Sequence, residues 1–65
     1  MIKIFVEVDG KTVTAEISES TYEILRDGAI LRNRPIKWFL TQIIKIYGKL
    51  TEENIIQFMD EKWII

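Results

Sequence analysis

Apolar residues alternate with polar ones through 2–8 and again through 11–17, with Asp9-Gly10 between the two runs. Successive side chains of a strand leave on opposite faces, so this period of two predicts half-buried β-strands. Asp-Gly suits the two-residue type I′ turn, which needs φ > 0 at both positions. A hairpin with that turn sets Ile2 against Ile17, Ile4 against Ala15, Val6 against Val13 and Val8 against Lys11 on an apolar face. On the other face Lys3 opposes Glu16, Phe5 opposes Thr14 and Glu7 opposes Thr12. One greasy surface and one polar surface with an opposite-charge pair are what a half-buried hairpin requires.

The period then changes to that of helices. Ser20-Thr21-Tyr22-Glu23 fits a capping box and predicts a helix over about 20–32 that buries Tyr22, Leu25 and Ala29, with Ile24 nearby. Gly28 offers an early stop, and Asn33 a later one in the left-handed conformation; the spacing favours the longer helix. Over 35–47, Ile36, Phe39, Leu40, Ile43, Ile44, Ile46 and Tyr47 fall on one side at about 100° per residue. Pro35 suits the first turn, and Trp38 alone is misplaced among polar residues. A strand over 36–47 is the alternative, because the stretch is rich in β-branched and aromatic residues. Gly48 ends this element. Thr51 caps a helix over 52–61 in which Glu52 and Glu53 face the positive end of the dipole. Ile55, Ile56, Phe58 and Met59 form its apolar stripe, and Trp63-Ile64-Ile65 either extends it or forms a short strand. The expected architecture is one α+β domain over 1–65, ββααα, with the hairpin packed on two or three helices.

Composition narrows the chemistry more than the fold. The 65 residues contain neither cysteine nor histidine, so disulfides, thiolate metal sites, the usual zinc ligand and the usual neutral-pH base are excluded. No apolar run approaches the ~18 residues that span a bilayer. The alternating start Met1–Glu7 is unlike a signal peptide, so a cytoplasmic, membrane-free protein is expected. The net charge of −1 hides an uneven distribution. Residues 26–49 hold Arg26, Arg32, Arg34, Lys37, Lys45 and Lys49 against Asp27 alone, while both flanking segments are acidic. An anionic partner would meet this middle segment first.

Residues 1–17, with Ile4-Phe5-Val6 and Gly10-Lys11-Thr12-Val13-Thr14-Ala15-Glu16-Ile17, resemble the opening hairpin of ubiquitin-like β-grasp domains. Leu50-Thr51-Glu52-Glu53-Asn54-Ile55 and Trp63-Ile64-Ile65 resemble that family's late turn and last strand. The resemblance implies a protein-binding module and a strand at 36–47, where the periodicity prefers helix. Conjugation chemistry is not expected without a terminal Gly-Gly. Residues 13–47 resemble a ribbon-helix-helix repressor, with Val13, Ala15 and Ile17 as the inner face of its strand. Leu25, Ala29, Phe39, Leu40, Ile44 and Tyr47 match that family's helical core pattern. This second resemblance implies a dimer whose Thr12, Thr14 and Glu16 read the major groove, with Asn33-Arg34-Pro35 near phosphate. Glu16 brings a negative charge to that face, and the extra strand 2–8 widens the ribbon beyond a groove about 12 Å across.

Catalytic candidates are few. Glu52-Glu53 and Asp60-Glu61 are adjacent carboxylates better explained as helix-start charge and solvated surface. Ser18 and Ser20 lack a base, and Gly10, Gly28 and Gly48 are too isolated to cradle phosphate. The chain is therefore expected to be no enzyme, with no cofactor, metal or small-molecule substrate. Trp38 shares a stripe with Arg34, Thr41 and Lys45 at spacings of four, three and four, which marks either a contact surface or a tryptophan capped by cation–π packing. Phe5 on the outer face of the hairpin and two strand edges are further contact features. The expected function is a non-enzymatic interaction module for protein, self or other, possessing Arg34, Trp38, Thr41, Lys45 and Phe5 as binding residues. A small DNA-binding regulator using the basic segment 32–45 is the alternative.

Overall fold

Strands β1 (Ile2–Val8) and β2 (Lys11–Ile17) pair antiparallel in the expected register, from Ile2 opposite Ile17 to Val8 opposite Lys11. Asp9 and Gly10 take φ of 53° and 78°, the left-handed pair that a type I′ turn demands. The computed structural model describes residues 1–61, so the question of Trp63-Ile64-Ile65 lies outside the described residues. Three helices follow the hairpin: α1 (Glu19–Leu31), α2 (Ile36–Tyr47) and α3 (Glu52–Glu61).

Helix α1 starts earlier than the capping-box pattern indicates. Ser18, not Ser20, is the cap: its backbone is extended and its Oγ accepts the Thr21 N–H at 3.3 Å. The strand ends at Ile17, so Ser18 is the first residue free to turn the chain. Thr21 (2% exposed) faces inward with Leu25, Gly28 and Ala29, while Tyr22 is only half-buried. Ile24 stays exposed. The helix runs through Gly28 and ends in a Schellman motif, with Asn33 left-handed at φ 55°. The Asn33 N–H donates to the Ile30 carbonyl at 3.1 Å and the Arg34 N–H to the Ala29 carbonyl at 3.0 Å, which satisfies carbonyls the helix would otherwise strand.

Residues 36–47 are helical, which overturns the β-grasp alternative with a strand there. Phe39, Leu40 and Ile43 are buried on one face, whereas a strand would need cover on both. Pattern wins over propensity. Pro35 takes the N-cap position rather than the first turn, and Gly48 ends α2 at φ 81° with its N–H on the Ile44 carbonyl at 2.7 Å. Thr51 caps α3 as expected, its Oγ1 accepting the Asn54 N–H at 3.1 Å.

The helices cover one face of the hairpin. Helix α2 packs on β1, and α3 packs on α1 and β2. Ile17, Leu25, Phe39, Ile43 and Ile55 lose all exposure in the shared core, joined by Ile4, Val6 and Phe58. Burying each such side chain contributes about 1.5–3 kcal/mol. Phe39 meets Phe58 edge-on at 6.4 Å between centroids, tying α2 to α3. Leu50, in the α2–α3 turn, is also buried, but Ile46 and Ile56 of the expected apolar stripes are exposed. Among the described residues no helix is long and apolar enough to cross a membrane.

Gly28 sits under the side chain of Met59 on α3: a Cβ there would collide with the methyl end of that buried residue. Gly28→Ala forces the flexible end of Met59 to move, so its repacking cost should offset the helix-propensity gain of about 1 kcal/mol and leave the urea midpoint nearly unchanged or slightly lowered. In a Met59→Ala background the same change should become stabilising by up to about 1 kcal/mol, because alanine is the better helix former. Equal effects in both backgrounds would show that the contact is not what excludes a side chain.

Candidate functional site

Two surfaces collect the features expected to bind. The first is the stripe on α2. The Arg34 guanidinium lies over the Trp38 ring, 4.3 Å from its centroid, and Trp38 meets Phe39 edge-on at 5.0 Å and 85°. Trp38 is half-buried and packs against the core, and both Trp38 and Arg32 are engaged further within the chain. Thr41 turns its hydroxyl back to the Lys37 carbonyl at 2.9 Å, and Lys45 is exposed in the last turn. Arg32 also donates to the Gly28 carbonyl at 3.3 Å, so part of the basic segment serves the monomer's own structure.

The second surface is the outer edge of β1, where Phe5 lies, 60% exposed. Residues flanking a two-residue turn exchange both backbone hydrogen bonds, so Val8 and Lys11 form such a pair. The alternation then directs the N–H and C=O groups of Ile2, Ile4, Val6 and Val8 toward β2. Those of Lys3, Phe5 and Glu7 point away from it. The two-stranded sheet offers them no partner among the described residues.

An open groove of about 300 Å³ runs along this edge. Four consecutive β1 residues, Ile2 to Phe5, line it, and no β2 residue does. Consecutive residues point to opposite faces, so a groove touching all of them borders the edge of the strand and not one face. Its far wall comes from Tyr22 of α1 and from Ile36, Lys37 and Leu40 of α2. Lys3 and Lys37 are the charged residues of the lining. The structure thus groups Phe5 with Lys37, Ile36 and Leu40 and leaves Trp38 outside this groove. Sequence reasoning found Phe5 and the free edge but missed the wall, since Tyr22 and Leu40 were both assigned to the core and only their placement beside β1 reveals the trough.

A polar cluster at the start of α1 was also missed. The Ser18 and Thr21 hydroxyls both donate to Glu52 Oε1, at 2.8 and 2.7 Å, joining the first turns of α1 and α3. These two bonds, Thr21's first, hold the Glu52 carboxyl below the ordinary glutamate pKa, while partial burial works the other way. Glu52 is therefore more than helix-start charge. Among the described residues no three of His, Cys, Asp and Glu gather as metal ligands.

Two outcomes are expected. A carboxyl with a lowered folded-state pKa supports the fold fully above the unfolded value of ~4.3 and loses that support as pH falls through the lowered one. Glu52→Gln should flatten the acid limb of the stability–pH curve, and a wild-type limb in the variant would remove Glu52 from it. Trp38→Ala should cost about 2–3 kcal/mol in chemical unfolding, since the ring has both packing and a cation to lose; an unchanged midpoint would make it a surface residue. No protein-family model, curated protein or solved structure matches this chain.

Proposed function

We propose that the chain is a non-enzymatic interaction module, set in the cytoplasm, that recognises protein through the outer edge of β1. One observation carries this reading: the outward backbone groups of Lys3, Phe5 and Glu7 have no partner among the described residues, and Lys3 and Phe5 border a largely apolar groove walled by Tyr22, Ile36 and Leu40. Such an edge accepts an extended segment by main-chain hydrogen bonding, and the groove takes its alternate side chains. Exposed Phe5 adds apolar area on the outer face.

The DNA-binding alternative draws on the exposed cations Arg34, Lys37 and Lys45. The stacking of Arg34 on Trp38 and the Arg32 bond to Gly28 lower the share of that segment free for phosphate. The acidic segments on either side of it weigh in the same direction.

Extended peptides selected from a random-sequence display library should shift the amide resonances of Lys3, Phe5 and Glu7 and of the groove wall. Duplex DNA at low salt should shift none. Duplex binding that weakens steeply with salt, with shifts confined to 32–45, would establish the regulator instead. Selected peptides that bind elsewhere on the surface would remove β1 as the docking edge.

A further inference from the structure

The outward-bonding residues of β1 read Lys3, Phe5, Glu7, with opposite charges placed symmetrically about the aromatic. Two such edges brought together antiparallel about a two-fold axis through Phe5 set Lys3 of each copy against Glu7 of the other. Phe5 meets Phe5 between them. In that register Lys3, Phe5 and Glu7 of both chains exchange their N–H and C=O bonds, and their side chains share the outer face. On the inner face Ile4 lies beside Val6 of the second copy and Ile2 beside Val8, so the apolar surface continues across the junction.

Other registers of the same edge are penalised. A two-fold axis at Lys3 opposes two lysines, an axis at Glu7 opposes two glutamates, and a shift of one pair sets Phe5 against a charge. The β2 edge lacks this property, because Thr12, Thr14 and Glu16 bond outward there and none is a cation. The charges that usually blunt a free edge are thus arranged to admit one closed, symmetric pairing. The register is unbroken by a bulge, and β1 contains no proline.

We infer that the occupant of the β1 edge is a second copy of this chain, paired antiparallel through Lys3, Phe5 and Glu7 into a continuous four-stranded sheet. The inference rests on the reading of β1 as a docking edge and names its partner. Charge complementarity selects that partner: the edge presents a cation and an anion at the spacing its own copy presents in reverse.

Sedimentation of the wild-type chain should give a dimer at high concentration. Residue-resolved amide exchange should slow with concentration at Lys3, Phe5 and Glu7 while Thr12, Thr14 and Glu16 stay fast. Glu7→Lys faces Thr12 within its own hairpin, so the monomer should keep its fold. It should nevertheless weaken the dimer roughly 30-fold, since both attractive pairs become repulsive. The double variant Lys3→Glu/Glu7→Lys should recover most of that loss, and its circular dichroism reports whether the new Glu opposite Glu16 is tolerated. Should the double variant fail to fold, Glu7→Lys and the exchange pattern decide alone. A wild-type chain that stays monomeric at millimolar concentration, or a Glu7→Lys dimer as tight as wild type, overturns the inference. Peptides that still shift β1 in a monomeric wild-type chain would leave the docking edge standing and reject only the second copy.

Discussion

The register of the hairpin governs the rest of this molecule. Asp9 and Gly10 both adopt left-handed conformations, and a two-residue turn of that kind leaves the flanking strands a single pairing. A slip of one residue would put the two apolar sets on opposite faces, so that keeping Ile17 buried would send Ile4 and Val6 into water and bring Lys3 and Glu7 against the helices. The same alternation that selects the buried face also selects which backbone groups bond across the hairpin. Lys3, Phe5 and Glu7 are turned outward on both counts, in side chain and in main chain. The open edge of β1 is therefore a consequence of the turn.

The helices answer that buried face with different means. Helix α2 is the more apolar partner and lays Phe39, Leu40 and Ile43 beneath β1, where its first turns also wall the edge groove. Helix α3 is held against α1 by close approach at one end, Gly28 beneath Met59, and by hydrogen bonds at the other, where Ser18 and Thr21 converge on Glu52. A carboxylate bonded by hydroxyls from a neighbouring helix start meets the positive ends of both dipoles. Among the described residues these contacts leave the outer face of the sheet uncovered. The face that could hold a second layer carries instead Lys3, Phe5, Glu7, Thr12, Thr14 and Glu16, all exposed.

Cation and aromatic together in the α2 stripe illustrate how one pattern supports two meanings. Arg34 and Trp38 are four apart, so a helix places them side by side wherever the stripe faces. What the spacing leaves open is whether the indole meets solvent or its own chain. Here it packs on Phe39 beneath Arg34, which makes the pair a lid over the core as much as a surface. At the end of α1 spacing does decide: Leu25 and Ala29, four apart, share the buried face, while Ile30 and Leu31 fall off it and are 72% and 79% exposed.

The amino-acid order alone determined every local decision that depends on near neighbours: the turn at Asp9-Gly10, the pairing that follows, the helical period of 36–47, the threonine cap of α3 and the ββααα order. Each rests on dihedral preference or on the direction in which consecutive side chains leave the backbone, and both act within a few residues. Decisions that depend on distant residues were not available to it. Ser18 rather than Ser20 caps α1 because β2 ends at Ile17 and Thr21 must reach Glu52, thirty-one positions away. Leu50 is buried and Ile46 exposed because of where α3 lies, and Tyr22 and Leu40 become a groove wall only when β1 runs past them. Which apolar residues at the margin of a face meet a neighbour is a property of assembled surfaces, so only the tertiary structure could assign it.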